Sequence, residues 1–518
     1  MSEPRALSKM PHTSSSPAGF FGGGRDQPLL ERYRARWHAK GRPRLIPPRL
    51  LARYRDAARV RRPRDKGHRP EVAANARQRL VQRLTMGWSV FEQQQVDELG
   101  TRAYLARQLD PESVDDFGLE ALLEQAFSTL TMTPFEIAVN FGDSMDVPFF
   151  ELEIATLLRV VYSPRQLFER MAVFWSDHFN ISLLGDLGVF LKPTDDREVI
   201  RRHALGRFGD LLRASAQSPA MIDYLNNNTN VRGHPNENYA RELMELHTLG
   251  VDGGFTQEDV REVARAFTGW SFGETGTDFG VFVFHAEDHD TQPKTVLGTA
   301  LPAGGGVEDG LAVLDLLAAH PSTAHFLARK LLRYFWGYEP EAETVARVAA
   351  VYLETDGDIR AVLRSVLSWF ELAVATPKLK RPLHLMTSAL RALFADVEDP
   401  FFLLQSLLAA GHLPFNWGPP NGYPDTLDYW SGALLPRWNF AAEVLVPEVS
   451  GLSFDLSYLD PQAPVEALVD GMSQVLGGTF SETTRQTLTL FLAEQPPTPE
   501  RLREALGLLI ASPEFQYY

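Results

Sequence analysis

Cysteine is absent from all 518 residues. Disulfides, thiolate metal ligands and a cysteine nucleophile are thereby excluded. Long apolar runs are missing as well. No stretch approaches the roughly 18 residues needed to cross a bilayer, so no transmembrane helix is expected. The N-terminus, MSEPRALSKMPHTSSSPAGFFGGGRD, has no apolar signal core, which sets the expectation of a cytoplasmic chain. Phosphate-binding glycine loops, nucleophile elbows and the HExxH zinc motif do not occur. Nor does any repeat of about 20–50 residues, which excludes solenoids and propellers.

What is present suits a large folded body. Hydrophobic residues make up 44% of the chain, with 32 Phe and 9 Trp to fill cores, and the length exceeds one core's worth. Net charge is −15 but unevenly spread. Residues 1–85 hold 21 Lys and Arg against 6 Asp and Glu; the remainder holds 30 against 60. A basic, Pro/Gly/Arg-rich arm over residues 1–70 therefore precedes an acidic body over 71–518. The run Arg53 to Arg64 suits docking on that body, on a second copy or on a partner. No aromatic-and-basic recognition module accompanies it, so nucleic acid is not the expected partner.

From Val72 onward, apolar residues recur at spacings of three and four, so the fold class is mainly α. Gly280–His285 and Lys294–Gly298 read as short strands, a small β-hairpin insertion near 270–300. The body divides around it into lobes at 71–270 and 300–518.

The densest mixture of ionisable and apolar residues is Pro235–Trp270. It reads as two helices joined by a tight turn. The first spans Asn236–Leu249, with Gly250 as a left-handed C-cap. Thr256 and Asp259 form the ends of a capping box that starts the second. Glu237, Arg241 and Glu245 recur at i, i+4 and i+8, with Glu242 beside them. Such a line is either a solvated ion-pair ladder or the wall of a cleft. Upstream, Asp177, His178 and Asn180 sit among aromatics, where His178 is a satisfied core group or a ligand. Downstream, His285, Asp288, His289 and Asp290 have N/O metal-ligand chemistry, but their strand context removes the helical spacing that marks a zinc pair. The cofactor is not legible; a divalent metal at His289 and Asp290 is the expectation to test.

Several motifs together resemble a bacterial family known only as domain of unknown function 1800. They are Arg83–Gly87 with Gln108–Glu112; Phe174-Trp175 with His178-Phe179-Asn180; Asn236–Leu246; His289-Asp290 with Lys294–Gly298; Lys380-Arg381-Pro382; and Trp430 with Arg437–Phe440. Their order fits Val72–Tyr518. The resemblance implies no established activity. It implies a protein partner, because members are often encoded beside a sulfatase- or alkaline-phosphatase-like protein. It also marks Glu237, Arg241, Glu242, Glu245, Gly254, Asp259, Arg265 and Trp270 as signature positions.

Two functions follow as expectations. In the first, the chain is a hydrolase- or lyase-like enzyme acting on a polyhydroxylated or anionic substrate. Its catalytic set is His178, Glu237, Arg241, Glu242, Glu245, Asp259, Arg265 and Lys294, with His289 and Asp290 as metal ligands. Paired carboxyls would split into acid and base, and Arg265 and Lys294 would hold an oxyanion. In the second, the same charges form a buried network that locks helices together. The chain is then a binding or assembly protein that joins a partner or itself through the arm.

Overall fold

The structure, a computed structural model, describes residues 26–39, 46, 71–116, 118–183, 185, 187–368, 372, 375–478 and 480–518. The run Arg53 to Arg64 lies outside the described residues. The body is mainly α-helical, and among the described residues its strands form short two-stranded pairs. Among the described residues no single helix is long and apolar enough to cross a membrane.

Two helices form the middle of the core. The first described helix, α1 (Asp26–Ala39), and α2 (Glu71–Leu84) precede them in the chain. Helix α3 (Asp146–Tyr162) is buried along its whole length. Its sequence, DVPFFELEIATLLRVVY, is apolar on more than one stripe, which suits a helix surrounded on all sides. Two of its charges are paired: Arg159 reaches Glu120 at 2.8 Å, and Asp146 takes Arg36 of α1 at 3.2 Å. Part of the basic arm is thus packed on the body. Leu30, Tyr33 and Trp37 of α1 are buried, and Tyr33 lies 5.3 Å from the Phe150 ring.

Helix α4 (Gln166–His178) follows α3 directly. Further along the chain lie α5 (Pro219–Tyr224) and α6 (Glu237–Glu242). The latter does not run on as α-helix: Leu243–His247 is a π-helical turn. Gly250 then takes φ +81°, as its C-cap role requires. Thr256 and Asp259 form the expected capping box at the start of α7 (Gln257–Ala266), whose Val260, Val263 and Ala264 face inward.

The β insertion is two separate pairs. Strand β1 (Trp270–Phe272) pairs antiparallel with β2 (Phe282–Phe284), Trp270 opposite Phe284. Strand β3 (Lys294–Val296) pairs with β4 (Thr299–Leu301), Lys294 opposite Leu301. The two stretches read as strands do not pair with each other. Leu297 and Gly298, both at positive φ, close a two-residue turn that returns the chain onto β3. Helices α8 (Val307–Ala318) and α9 (Pro321–Phe335) follow. The second wholly buried helix is α10 (Pro382–Ala392). Its Arg391 pairs with buried Glu92 at 2.5 Å. Short helices α11 (Leu427–Ser431) and α12 (Leu434–Glu443) lie at the surface.

Candidate functional site

The charged helix line is a ladder at the surface. Arg241 reaches Glu237 at 3.1 Å and Glu245 at 3.5 Å. Gln257 of α7 ties it across the hairpin, donating to Glu237 at 2.6 Å. Ion pairs this exposed contribute a few tenths of a kcal/mol each. Asp259 is occupied too. It accepts from Thr256 N at 2.9 Å and from Leu297 N at 2.7 Å, tying the β3–β4 turn to α7. Burial works against its charge, but these bonds hold its carboxyl below the ordinary range.

Arg265, Lys294, His289 and Asp290 pin the insertion to the helices. Arg265 meets Asp290 at 2.8 Å and Glu262 at 2.6 Å. Lys294 is buried and reaches Asp309 at 2.7 Å. His289 places Nδ1 2.8 Å from Thr268 O and Nε2 3.3 Å from Asp309. The ring of His289 and the carboxylate of Asp290 are therefore committed to protein partners. Among the described residues, the three donors that converge as a cation set would are His285, Glu287 and Asp288, on one partly exposed turn.

His178 stands apart from all of these. It is fully buried at the end of α4, flanked by the Phe174, Trp175 and Phe179 rings. Its Nε2 lies 3.0 Å from the carbonyl of His247, at the end of the π turn. Nε2 therefore carries the proton, and Nδ1 accepts from Lys330 Nζ of α9 at 2.9 Å. Burial first, and Lys330 second, push the imidazole well below its ordinary pKa. The same causes bring His247 down to about 3. Burial likewise lowers Lys330 to about 8, Asp177 opposing.

The other face of α4 carries Glu169, Ala172, Val173, Ser176 and Asp177, spaced three and four apart. With Asn180, Asp196, Arg201 and Tyr423 they line a narrow cleft. Arg381 joins Asp177 at 2.6 Å and Asp425 at 3.5 Å; Lys378 joins Asp425 at 2.7 Å. Despite Arg381, burial raises the Asp177 carboxyl above its ordinary range. The loop Asn416–Asp425 closes over this end. Asn180 donates to Trp417 O at 2.9 Å and Pro419 O at 2.7 Å; Tyr224 of α5 donates to Gly418 O at 2.5 Å. Burial pushes the Tyr224 phenol up, with Asn180 and the charge of Glu242 also acting on it. Asp177 and Asn180 share the cleft wall, and Glu242 acts on Tyr224 beside the loop.

Glu242 differs from its neighbours. Its carboxylate has no hydrogen-bond or ion-pair partner among the described residues and is half-buried. Burial, then Glu245, push it up; Arg241 opposes. Of the residues singled out from the sequence, Asp177, His178 and Asn180 lie at this end of α4, and Glu242 acts on Tyr224 beside it. Glu237, Arg241, Glu245, Asp259, Arg265, Lys294, His289 and Asp290 are held in the ladder and the insertion network. Lys330, Asp309 and Asp425 were not singled out. Each lies in a pattern that an amphipathic helix or a turn already explains.

A model of the family described as protein of unknown function (DUF1800) matches residues 79–517, so the chain belongs to that family. No curated protein matches, and no solved structure matches.

Proposed function

We propose that this member of the DUF1800 family is a hydrolase- or lyase-like enzyme using Glu242 and Asp177 as its acid–base carboxyls. The observation that carries the reading is Glu242. In a helix whose other charges are all paired, it alone is left without a partner. Two carboxyls kept above their ordinary range by burial are suited to exchanging protons as acid and base. Ser176 and Asn180 put a hydroxyl and an amide on the same wall, which fits a polyhydroxylated substrate. Arg381 keeps Asp177 oriented through its 2.6 Å contact. Turnover of a panel of nitrophenyl esters, nitrophenyl glycosides and uronate-containing polysaccharides tests this. Asp177→Asn is expected to lose at least about 100-fold in rate on any substrate consumed. An unchanged rate in that variant removes Asp177 from the chemistry.

A second reading, an assembly protein with a protein partner, is favoured by one surface. Leu434, Leu435 and Trp438 of α12 are 45%, 65% and 51% exposed, an apolar face of the kind that marks contact sites. The sulfatase-like neighbour suggested by the resemblance is the partner to test. Leu435→Asp with Trp438→Ala should abolish co-migration of the two purified proteins in size-exclusion chromatography. Separate elution of the wild-type pair sinks this reading.

A further inference from the structure

Three buried lysines of the described residues are paired with carboxylates. Lys192 meets Asp195 at 2.5 Å, Lys294 meets Asp309 at 2.7 Å and Lys378 meets Asp425 at 2.7 Å. Lys380 instead lies 3.9 Å over the Phe515 ring. Lys330 breaks the pattern. Among the described residues no carboxylate forms an ion pair with it. The two acids that act on it, Asp177 and Asp425, are held by Arg381 and Lys378. Its hydrogen bond goes to a histidine nitrogen, His178 Nδ1, at 2.9 Å. That nitrogen can only accept, because the opposite one is committed to the His247 carbonyl at 3.0 Å. Lys330 is a part-buried residue, and its contact with His178 is part-buried too. Beside it His247 is buried at 1% exposure, and its Nε2 has no hydrogen-bond partner among the described residues. An unpartnered polar atom in such a place is costly unless something meets it.

We infer that Lys330 is a carbonyl-reactive amine that forms an imine with a small hydroxy-aldehyde or hydroxy-ketone, whose hydroxyl meets Nε2 of His247. One N–H of the free amine donates to His178, which leaves the lone pair free to attack. The nitrogen–carbon bond forms as the carbonyl π pair moves to oxygen. The proton shed by Nζ passes to that oxygen, with His178 Nδ1 beside it as acceptor. The nitrogen lone pair then forms the carbon–nitrogen double bond as the carbon–oxygen bond breaks, and the hydroxyl takes the second Nζ proton and leaves as water, so amine plus carbonyl gives imine plus water. No oxidant or second reactant is needed. The inference does not rest on Glu242 or Asp177, since imine formation can be read without turnover.

The test is borohydride trapping on the full chain at pH 8 with glycolaldehyde as probe, followed by peptide mapping. A free amine with a pKa near 8 is about half deprotonated there, against well under about 1% for an ordinary lysine. Lys330 should therefore be trapped about 100-fold faster than free Nα-acetyl-lysine amide under the same conditions. His178→Gln should slow the labelling. Lys330→Arg should lose that labelled peptide while keeping the wild-type unfolding temperature. Labelling that shows no preference for Lys330, or that misses it, overturns the inference.

Discussion

Gly422 rests its α-carbon against the backbone of Asp177, so closely that a Cβ there would lie 2.0 Å from the Asp177 carbonyl oxygen. The residue also has φ +69°, which disfavours any side chain. The rigid loop can lie over the end of α4 only because position 422 is glycine. Gly422→Ala is expected to lower stability by at least about 1–2 kcal/mol, the cost of the left-handed backbone before the clash is added. Thermal unfolding measures it. An unchanged midpoint would mean the loop is not seated on Asp177.

The insertion network gives a contrast between two changes. Asp309 holds Lys294 at 2.7 Å and His289 at 3.3 Å, all three buried. Asp309→Ala leaves a buried ammonium uncompensated and should cost about 3–5 kcal/mol. Lys294→Met with Asp309→Leu removes both charges and should cost less. Urea midpoints rank the two variants; the reverse order contradicts a purely structural role for this group.

Lys330 should behave in the opposite way. Its folded pKa, about 8, lies below the ordinary lysine value of 10.5, because burial disfavours the charge. Stability is therefore lost as pH falls from 10.5 to 8 and stays lost below. Lys330→Met is expected to raise stability at pH 7 by about 1–3 kcal/mol, with the gain shrinking above pH 8. A stability decrease at pH 7 would show that Lys330 holds the fold together.

Acid should act through the histidines. His247 is brought down to about 3 by burial, and His178 lies well below its ordinary value. Below pH 6.5 the unfolded chain takes up protons that the folded chain refuses. Stability therefore falls with pH from about 6.5 towards 3, by up to about 1.4 kcal/mol per pH unit for each such group. Urea midpoints at pH 7, 6, 5 and 4 test this, with His247→Phe expected to flatten the slope. An identical slope in that variant contradicts it.

The helical architecture was legible because its signals are local. The Thr256–Asp259 box lies within four residues, and Gly250 closes its helix from the next position. The π turn at Leu243–His247 was not legible, since widening a turn calls for no special residue type. The site was harder. Local density of charge points to Glu237, Arg241 and Glu245, which the fold spends on one another. Lys330 and His178 are 152 residues apart. Each alone reads as part of an amphipathic helix. Asp309 reads as an ordinary first-turn acid. Only the packing of α9 against the end of α4 shows that Lys330 has a histidine for a partner.

The most direct test is a comparison of two glutamates at the two ends of α6. Rates of consumption of the ester, glycoside and polysaccharide panel would be measured for wild type, Glu242→Gln and Glu237→Gln, with unfolding temperatures alongside. The expected result is a drop of at least about 100-fold for Glu242→Gln, full activity for Glu237→Gln, and near wild-type unfolding for both. Equal rates in Glu242→Gln and wild type, or no consumption of any panel member, would contradict Glu242 as the working carboxyl.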